Sequence, residues 1–243
     1  MTRVGLQLWT LREECERDLL GTIERVGALG YDGVELFRLE GLDAAEVRAA
    51  LDAAGLAACG AHVRLGEDLR AVGETLRSLG TSRAAIAWID PSELVDADAA
   101  VRRVAAAAEA ARACGLALGF HNHWSELAPD QAGRTFLDRL RDLPHDLVWL
   151  ELDLGWIWVA GADPAAELAA SAGRCPIVHL KDYADRESRT DVPVGDGAVG
   201  YDTLVERAVS SGAEWLVVEQ DEPQGDPFAA AARSLAAVRE LLP

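Results

Sequence analysis

Short apolar runs alternate with longer, Ala-rich amphipathic stretches along the chain. The apolar runs are Val4–Trp9, Gly33–Phe37, Ala57–His62, Ala84–Ile89, Leu116–Asn122, Leu147–Asp153, Pro176–Lys181 and Glu214–Glu219. Their length suits strands buried on both faces, as in a parallel sheet. Between them, helical periodicity runs over Asp18–Leu29, Asp43–Ala54, Glu67–Leu79, Pro91–Ala113, Asp130–Leu140, Asp163–Ala172, Tyr201–Ser211 and Pro227–Leu242. Asp43 ahead of Ala44-Ala45-Glu46 forms a capping-box pattern, and Asp163-Pro164 sets a cap before a first-turn proline. Gly30, Gly55, Gly80, Gly115, Gly173 and Gly212 follow helices, where a left-handed C-cap is wanted.

Eight such strand–helix alternations predict an α/β fold, a single (β/α)8 TIM barrel over residues 1–243, with no linker or shift in composition to divide it. The competing open, doubly wound sheet often carries a glycine-rich phosphate loop after its first strand. Here that strand runs into Leu8-Trp9-Thr10-Leu11, and neither GxGxxG nor a Walker A pattern follows it.

In a barrel, alternate strand residues face inward and the C-terminal strand ends carry the chemistry. Strand parity turns Gln7 and Trp9, Glu35 and Phe37, His62, Trp88, Glu151 and Asp153, His179 and Lys181, and Glu219 toward the interior. The fifth strand runs into His121-Asn122-His123-Trp124-Ser125-Glu126. Four of the five histidines lie in this set; only His145 lies elsewhere. Burying so many ionisable groups is costly unless they pair or hold a metal. Carboxylates with imidazole suit Mn2+, Mg2+, Co2+ or Zn2+, and the mixture leans toward Mn2+. Parity alone favours Asp153, His179 and Glu219 as ligands. Glu151, one layer deeper, is expected to be structural and paired with Lys181.

Trp9, Trp88, Trp124 and Trp156 fall at or just beyond strand ends, where an aromatic face can stack on a sugar ring; with His62 they form the candidate substrate surface. Trp149 and Trp215, within strands, are expected to pack. The loop after the seventh strand holds Arg186 and Arg189, a setting that binds phosphate in many barrels, and Gly195-Asp196-Gly197 reads as a tight turn.

The formal net charge of −18 repels phosphate backbones and argues against a nucleic-acid partner. Half the residues (50%) are hydrophobic and 26% are charged, but no apolar run reaches spanning length and no basic region followed by an apolar stretch opens the chain. No membrane role is therefore expected. Cys15, Cys59, Cys114 and Cys175 form no CxxC pair, which suits free thiols in a reducing cytoplasm.

Taken together, Gly5-Leu6-Gln7-Leu8-Trp9-Thr10-Leu11-Arg12, Gly30-Tyr31-Asp32-Gly33-Val34-Glu35, Ala61-His62-Val63, His121-Asn122-His123 with Glu126, Glu151-Leu152-Asp153-Leu154-Gly155-Trp156, His179-Leu180-Lys181-Asp182, Gly195-Asp196-Gly197 and Val218-Glu219-Gln220-Asp221 give the chain its likeness to known proteins. Over nearly its full length it resembles the sugar phosphate isomerase/epimerase group of the xylose isomerase-like barrels. The resemblance implies one divalent metal held by Glu126, Asp153, His179 and Glu219, with His121 and His123 as competitors at the fifth strand. It also implies proton abstraction beside the carbonyl of a keto-sugar or related polyol. Glu126, Glu219, His123 or His121 would move the proton, and Lys181 would stabilise the developing oxyanion. The rivals are a lyase acting on 3-keto sugars or inositol-like ketones through the same site, an apurinic endonuclease, and a non-catalytic sugar-binding barrel. The partner expected is a small molecule, and the sequence leaves room for a homo-oligomer.

Overall fold

In a computed structural model, residues 2–243 are described, and the eight expected strands close into one parallel barrel. They are β1 (Arg3–Gln7), β2 (Gly33–Phe37), β3 (Ala57–Val63), β4 (Arg83–Ile86), β5 (Ala117–His121), β6 (Trp149–Asp153), β7 (Ile177–Leu180) and, after a two-residue ladder of β8 (Asp182–Tyr183) with β9 (Asp191–Val192), β10 (Trp215–Val218). The barrel order β1-β10-β7-β6-β5-β4-β3-β2 is the chain order taken round the ring. This is a (β/α)8 barrel. The helices are α1 (Arg12–Leu29), α2 (Ala44–Ala54), α3 (Leu69–Ser78), α4 (Ala97–Ala113), α5 (Phe136–Arg141), α6 (Leu154–Val159), α7 (Pro164–Ala170), α8 (Tyr201–Ser210) and α9 (Pro227–Leu241).

The caps behave as the sequence asks. The Asp43 carboxylate accepts from Ala45 N and Glu46 N, and Gly55 closes α2 at φ 70°. Among the described residues, no helix is long and apolar enough to cross a membrane.

Three departures from the expected elements bear on the site. Leu8 and Trp9 leave β1 for a 3-10 turn, Leu8–Leu11, because the Gln7 side chain accepts from Trp9 N and starts that turn. Trp9 therefore stands on the rim rather than continuing the strand's parity. The helix expected from Asp130 begins only at Phe136: Asp130 spends its carboxylate on Ala132 N and Arg134 N, and Thr135 with Asp138 forms the true capping box. Helix α6 was not expected. Its sequence, LGWIWV, is apolar all round and has no amphipathic period to read. Gly155 lets α6 lie against β7, since a Cβ there would stand 2.2 Å from Lys181 O.

Register stacks the interior in layers. Gln7 is level with Glu35, and Glu35 with Gly60. His121 is level with Glu151, and Asp153 with His179. Below them Cys59, Ile177, Trp215 and Val217 plug the barrel with an apolar cluster. The polar residues are thus confined to the C-terminal half, above a dry floor.

Candidate metal centre

Asp153 ends β6 and caps α6: its Oδ1 accepts from Trp156 N at 2.9 Å. Asn122, the middle residue of His121-Asn122-His123, clamps the neighbouring strand end. Its Oδ1 accepts from Asp153 N at 3.1 Å and its Nδ2 donates to Asp153 O at 3.4 Å. That clamp fixes His121 and Asp153 side by side. His179 and Glu219 arrive from β7 and the end of β10, with His179 Nδ1 2.9 Å from Glu219 Oε2.

His121, Asp153, His179 and Glu219 thereby offer four buried donor atoms, all within 4.8 Å of one another. Asp153 Oδ2 is buried with no hydrogen-bond partner. A second set of equal compactness, His62, His121, Glu151 and His179, lies one layer down. There Glu151 Oε2 stands 2.7 Å from His62 Nε2, 3.3 Å from His121 Nδ1 and 3.5 Å from His179 Nε2. Glu151 therefore pairs with histidines, and the expected pairing with Lys181 is not found.

Lys181 pairs upward instead. Its fully buried Nζ lies 2.7 Å from Asp221 Oδ2, 3.3 Å from Glu219 Oε2 and 3.4 Å from Asp153 Oδ2, and 5.1 Å from the centre of the Trp156 ring. Burial alone would lower the pKa of Lys181, but Asp221, Glu219 and Asp153 hold it well above its ordinary value. Burial would likewise raise Glu219, yet Lys181 and the hydrogen bond from His179 keep that carboxyl far below the usual range. Asp153 moves the other way: its burial outweighs the lowering by Lys181 and lifts it to about 6. His179 would be pushed down by burial, but the carboxylates of Glu151 and Glu35 hold it well above its ordinary value. Burial, and then the neighbouring positive charges of His179 and His62, press His121 well below its ordinary value.

The structure does not bring Glu126 to this cluster. Glu126 is fully buried in the 3-10 turn Ser125–Leu127, but its Oε2 accepts from His123 N at 3.1 Å and from Ser125 Oγ at 2.9 Å, and Glu126 belongs to neither donor set. Its Oε1 is buried with no hydrogen-bond partner, and the fifth-strand residue that stands with Asp153 in the donor set is His121.

The aromatic residues form a wall on one side of the mouth. Trp88 meets His123 edge to face at 4.8 Å, Trp124 lies 4.9 Å from Trp156, and His123 lies 5.5 Å from Trp156. Trp88 is 42% exposed, so its face is open to a ligand. Burial, with the charge of Lys181, lowers His123 to about 3, and its Nδ1 is buried without a partner. Trp9 stands against Phe37 with Arg12 across its face, and His62 faces Glu151 rather than the mouth. Arg186 and Arg189 lie over Trp158 and Trp124.

Sequence parity named most of these residues but missed three connections. Glu35 and Asp221 were visible as inward or strand-end carboxylates without a partner. Asp182 anchors the loop that follows β7. Its carboxylate accepts from the backbone N–H groups of Tyr183, Gly195, Gly197 and Val199, and a Cβ on Gly197 would collide with it at 2.2 Å. Gly195-Asp196-Gly197 is therefore a turn wrapped round a buried carboxylate.

Comparison with known proteins follows the same lines. The family model described as xylose isomerase-like TIM barrel matches residues 23–241. A sugar phosphate isomerase/epimerase from Parabacteroides distasonis superposes with a TM-score of 0.80 at 20% identity, over 97% of this chain and 93% of that one. The 3-keto-D-glucoside 4-epimerase of E. coli gives 0.73 at 17% identity over 99% and 100% of the two chains. A probable 3-DHS dehydratase from Bacillus anthracis gives 0.74 at 14% identity over 98% and 99%. At such identities the likeness is one of fold. No curated protein sequence matches the chain.

Proposed function

Because the chain belongs to the xylose isomerase-like TIM barrel family, we propose that it is a metal-dependent isomerase or epimerase of a keto-sugar or related polyol. The observation that carries this reading is the convergence of His121, Asp153, His179 and Glu219 at four strand ends, beneath an aromatic wall.

The donor set fits a divalent ion. Two imidazoles and two carboxylates are mixed hard and borderline ligands, and Asp153 Oδ2 is a buried oxygen with no hydrogen bond, only the longer ion-pair contacts to Lys181 and His121. Mn2+ is the favoured metal on this chemistry, and His121 takes the fifth-strand position in preference to Glu126. When bound, the ion would supply positive charge to polarise a carbonyl and its neighbouring hydroxyl.

The remaining work falls to side chains. Glu219 is held ionised, and its ion pairs all run to Oε2; we assign its carboxylate to take the proton from the carbon beside the carbonyl. Lys181 supplies a fixed ammonium beside the oxygen that gains negative charge. His123, neutral at physiological pH, offers its unpartnered Nδ1 to a substrate hydroxyl. Trp88, Trp124 and Trp156 provide the apolar face on which a sugar ring stacks and from which water is excluded. Glu126 braces the turn that carries His123 and Trp124.

The same donors beside Lys181 would also serve elimination from a 3-keto sugar or an inositol-like ketone. Product mass separates the two chemistries. Incubation with a panel of ketoses and keto-glycosides is expected to give products of unchanged mass in H2O, one solvent deuterium at one carbon when the reaction is run in D2O, and no turnover after chelation. Loss of 18 mass units, the mass of water, would assign the enzyme to the lyases instead. Turnover surviving complete metal removal would refute the metal-dependent reading.

A further inference from the structure

The buried carboxylate of Glu35 belongs to no substrate surface, yet it is held from three sides. Its Oε2 accepts from Gln7 Nε2 at 2.9 Å and lies 2.6 Å from His179 Nε2, with His62 Nε2 farther off at 3.6 Å. Gln7 is itself fixed, its Oε1 accepting from Trp9 N at 3.1 Å. The backbone makes room for the group. The register of β2 against β3 shifts between Val34 and Glu35, and the residue opposite is Gly60, where a Cβ would stand 2.9 Å from Glu35 Oε1. A carboxylate with 0% exposure at the centre of a barrel is costly to bury, and stability alone gives little reason to keep it.

The geometry points to Glu35 as the positioning residue of the metal centre. Gln7 orients Glu35, and Glu35 holds the Nε2–H of His179, so that Nδ1 is the ring nitrogen turned toward Asp153, Glu219 and the ion. A metal-bound histidine needs such an acceptor on its second nitrogen to fix ring orientation and raise its basicity. The distances single out His179: its contact with Glu35 is 2.6 Å, whereas His121 Nδ1 has Glu151 Oε2 at 3.3 Å without a hydrogen bond. Of the two histidines, His179 is thus the one whose ligating nitrogen is set in advance. This inference rests on the metal reading above and concerns a residue that touches neither ion nor substrate.

The test is titration of the metal-free protein with Co2+ alone, followed by visible absorption, for the parent, Glu35→Leu, Glu35→Gln and Asp153→Asn. Glu35→Leu removes the acceptor and is expected to weaken Co2+ binding by about 10- to 100-fold; Glu35→Gln keeps an uncharged acceptor and should lose less. Long-range proton–nitrogen NMR spectra of the Zn2+ form should show His179 protonated at Nε2 in the parent and Glu35→Gln, and a changed ring pattern in Glu35→Leu. A merely structural role would not move that pattern in a folded variant. Parental affinity and an unchanged His179 pattern in folded Glu35→Leu would overturn the proposal. Should Glu35→Leu fail to fold, parental Co2+ affinity in Glu35→Gln overturns it equally. If Asp153→Asn itself binds Co2+ as the parent does, the metal reading fails. If only Asp153→Asn loses the ion, the reading stands and the role of Glu35 falls.

Discussion

Asp153→Asn is expected to remove metal binding and turnover while leaving the barrel folded. Asp153 has two duties on two oxygens. Oδ1 caps α6 through Trp156 N, and Oδ2 faces His121 and Lys181 with no hydrogen bond of its own. Asparagine caps helices about as well as aspartate, and it keeps the Oδ1 contact. The clamp from Asn122 runs to the backbone of residue 153 and is indifferent to the change. What is lost is the negative charge and one anionic donor. Metal affinity should fall by more than the roughly 10- to 100-fold typical of groups one shell further out. The unfolding free energy should fall by less than in a variant that also loses the cap, because the Oδ1 contact and the Asn122 clamp are kept. Asp153→Ala, by contrast, should also lose the cap, about 0.5–2 kcal/mol. Denaturant unfolding and metal titration of both variants check this. An Asp153→Asn protein that keeps one tightly bound metal would contradict it.

Lys181→Met should give the largest loss of stability of any change in the site, about 3–5 kcal/mol in the metal-free protein. The methionine fits the space of the lysine stem but leaves Asp221, Glu219 and Asp153 without their shared cation. The buried carboxylates of Glu219 and Asp153 and the partly exposed one of Asp221 then repel one another without the cation that lay between them. Metal should restore part of the loss, because the ion would compensate two of the three. Urea unfolding with and without Mn2+ measures both effects. An unfolding midpoint equal to that of the parent would show that the lysine is not the counter-charge, and absence of any rescue by Mn2+ would show that the metal does not share its carboxylates.

The barrel was legible because its apolar runs and helix caps repeat the same unit, and because Gly30 and Gly55 sit where a left-handed residue must end a helix. The strand ends were less so. β1 stops earlier than its apolar run, since Gln7 opens a 3-10 turn that hydrophobicity does not report, and β4 ends at Ile86, three residues short of its run. Parity placed Asp153, His179 and Glu219 because each lies at or next to the end of a regular strand. It had no purchase on Glu126, which lies beyond β5 in a turn. There the spacing from His123 to Glu126 suits a ligand, but it is equally the spacing at which a glutamate reaches back to a backbone N–H three residues earlier, and the fold uses it in that way. The pairing of Lys181 with Asp221 rather than Glu151 was hidden for a different reason. It depends on which interior layer each side chain reaches, a matter of register between β6, β7 and β10 that the sequence of one strand does not carry.

The central claim is that one divalent ion sits among His121, Asp153, His179 and Glu219. Anomalous diffraction from crystals of the Mn2+-loaded protein, collected at the manganese absorption edge, tests it directly. A single peak is expected, at roughly 2.0–2.2 Å from one nitrogen of His121 and one of His179 and from a carboxylate oxygen of Asp153 and of Glu219. A peak one layer lower, among His62, His121, Glu151 and His179, or no peak inside the barrel at all, would contradict the account.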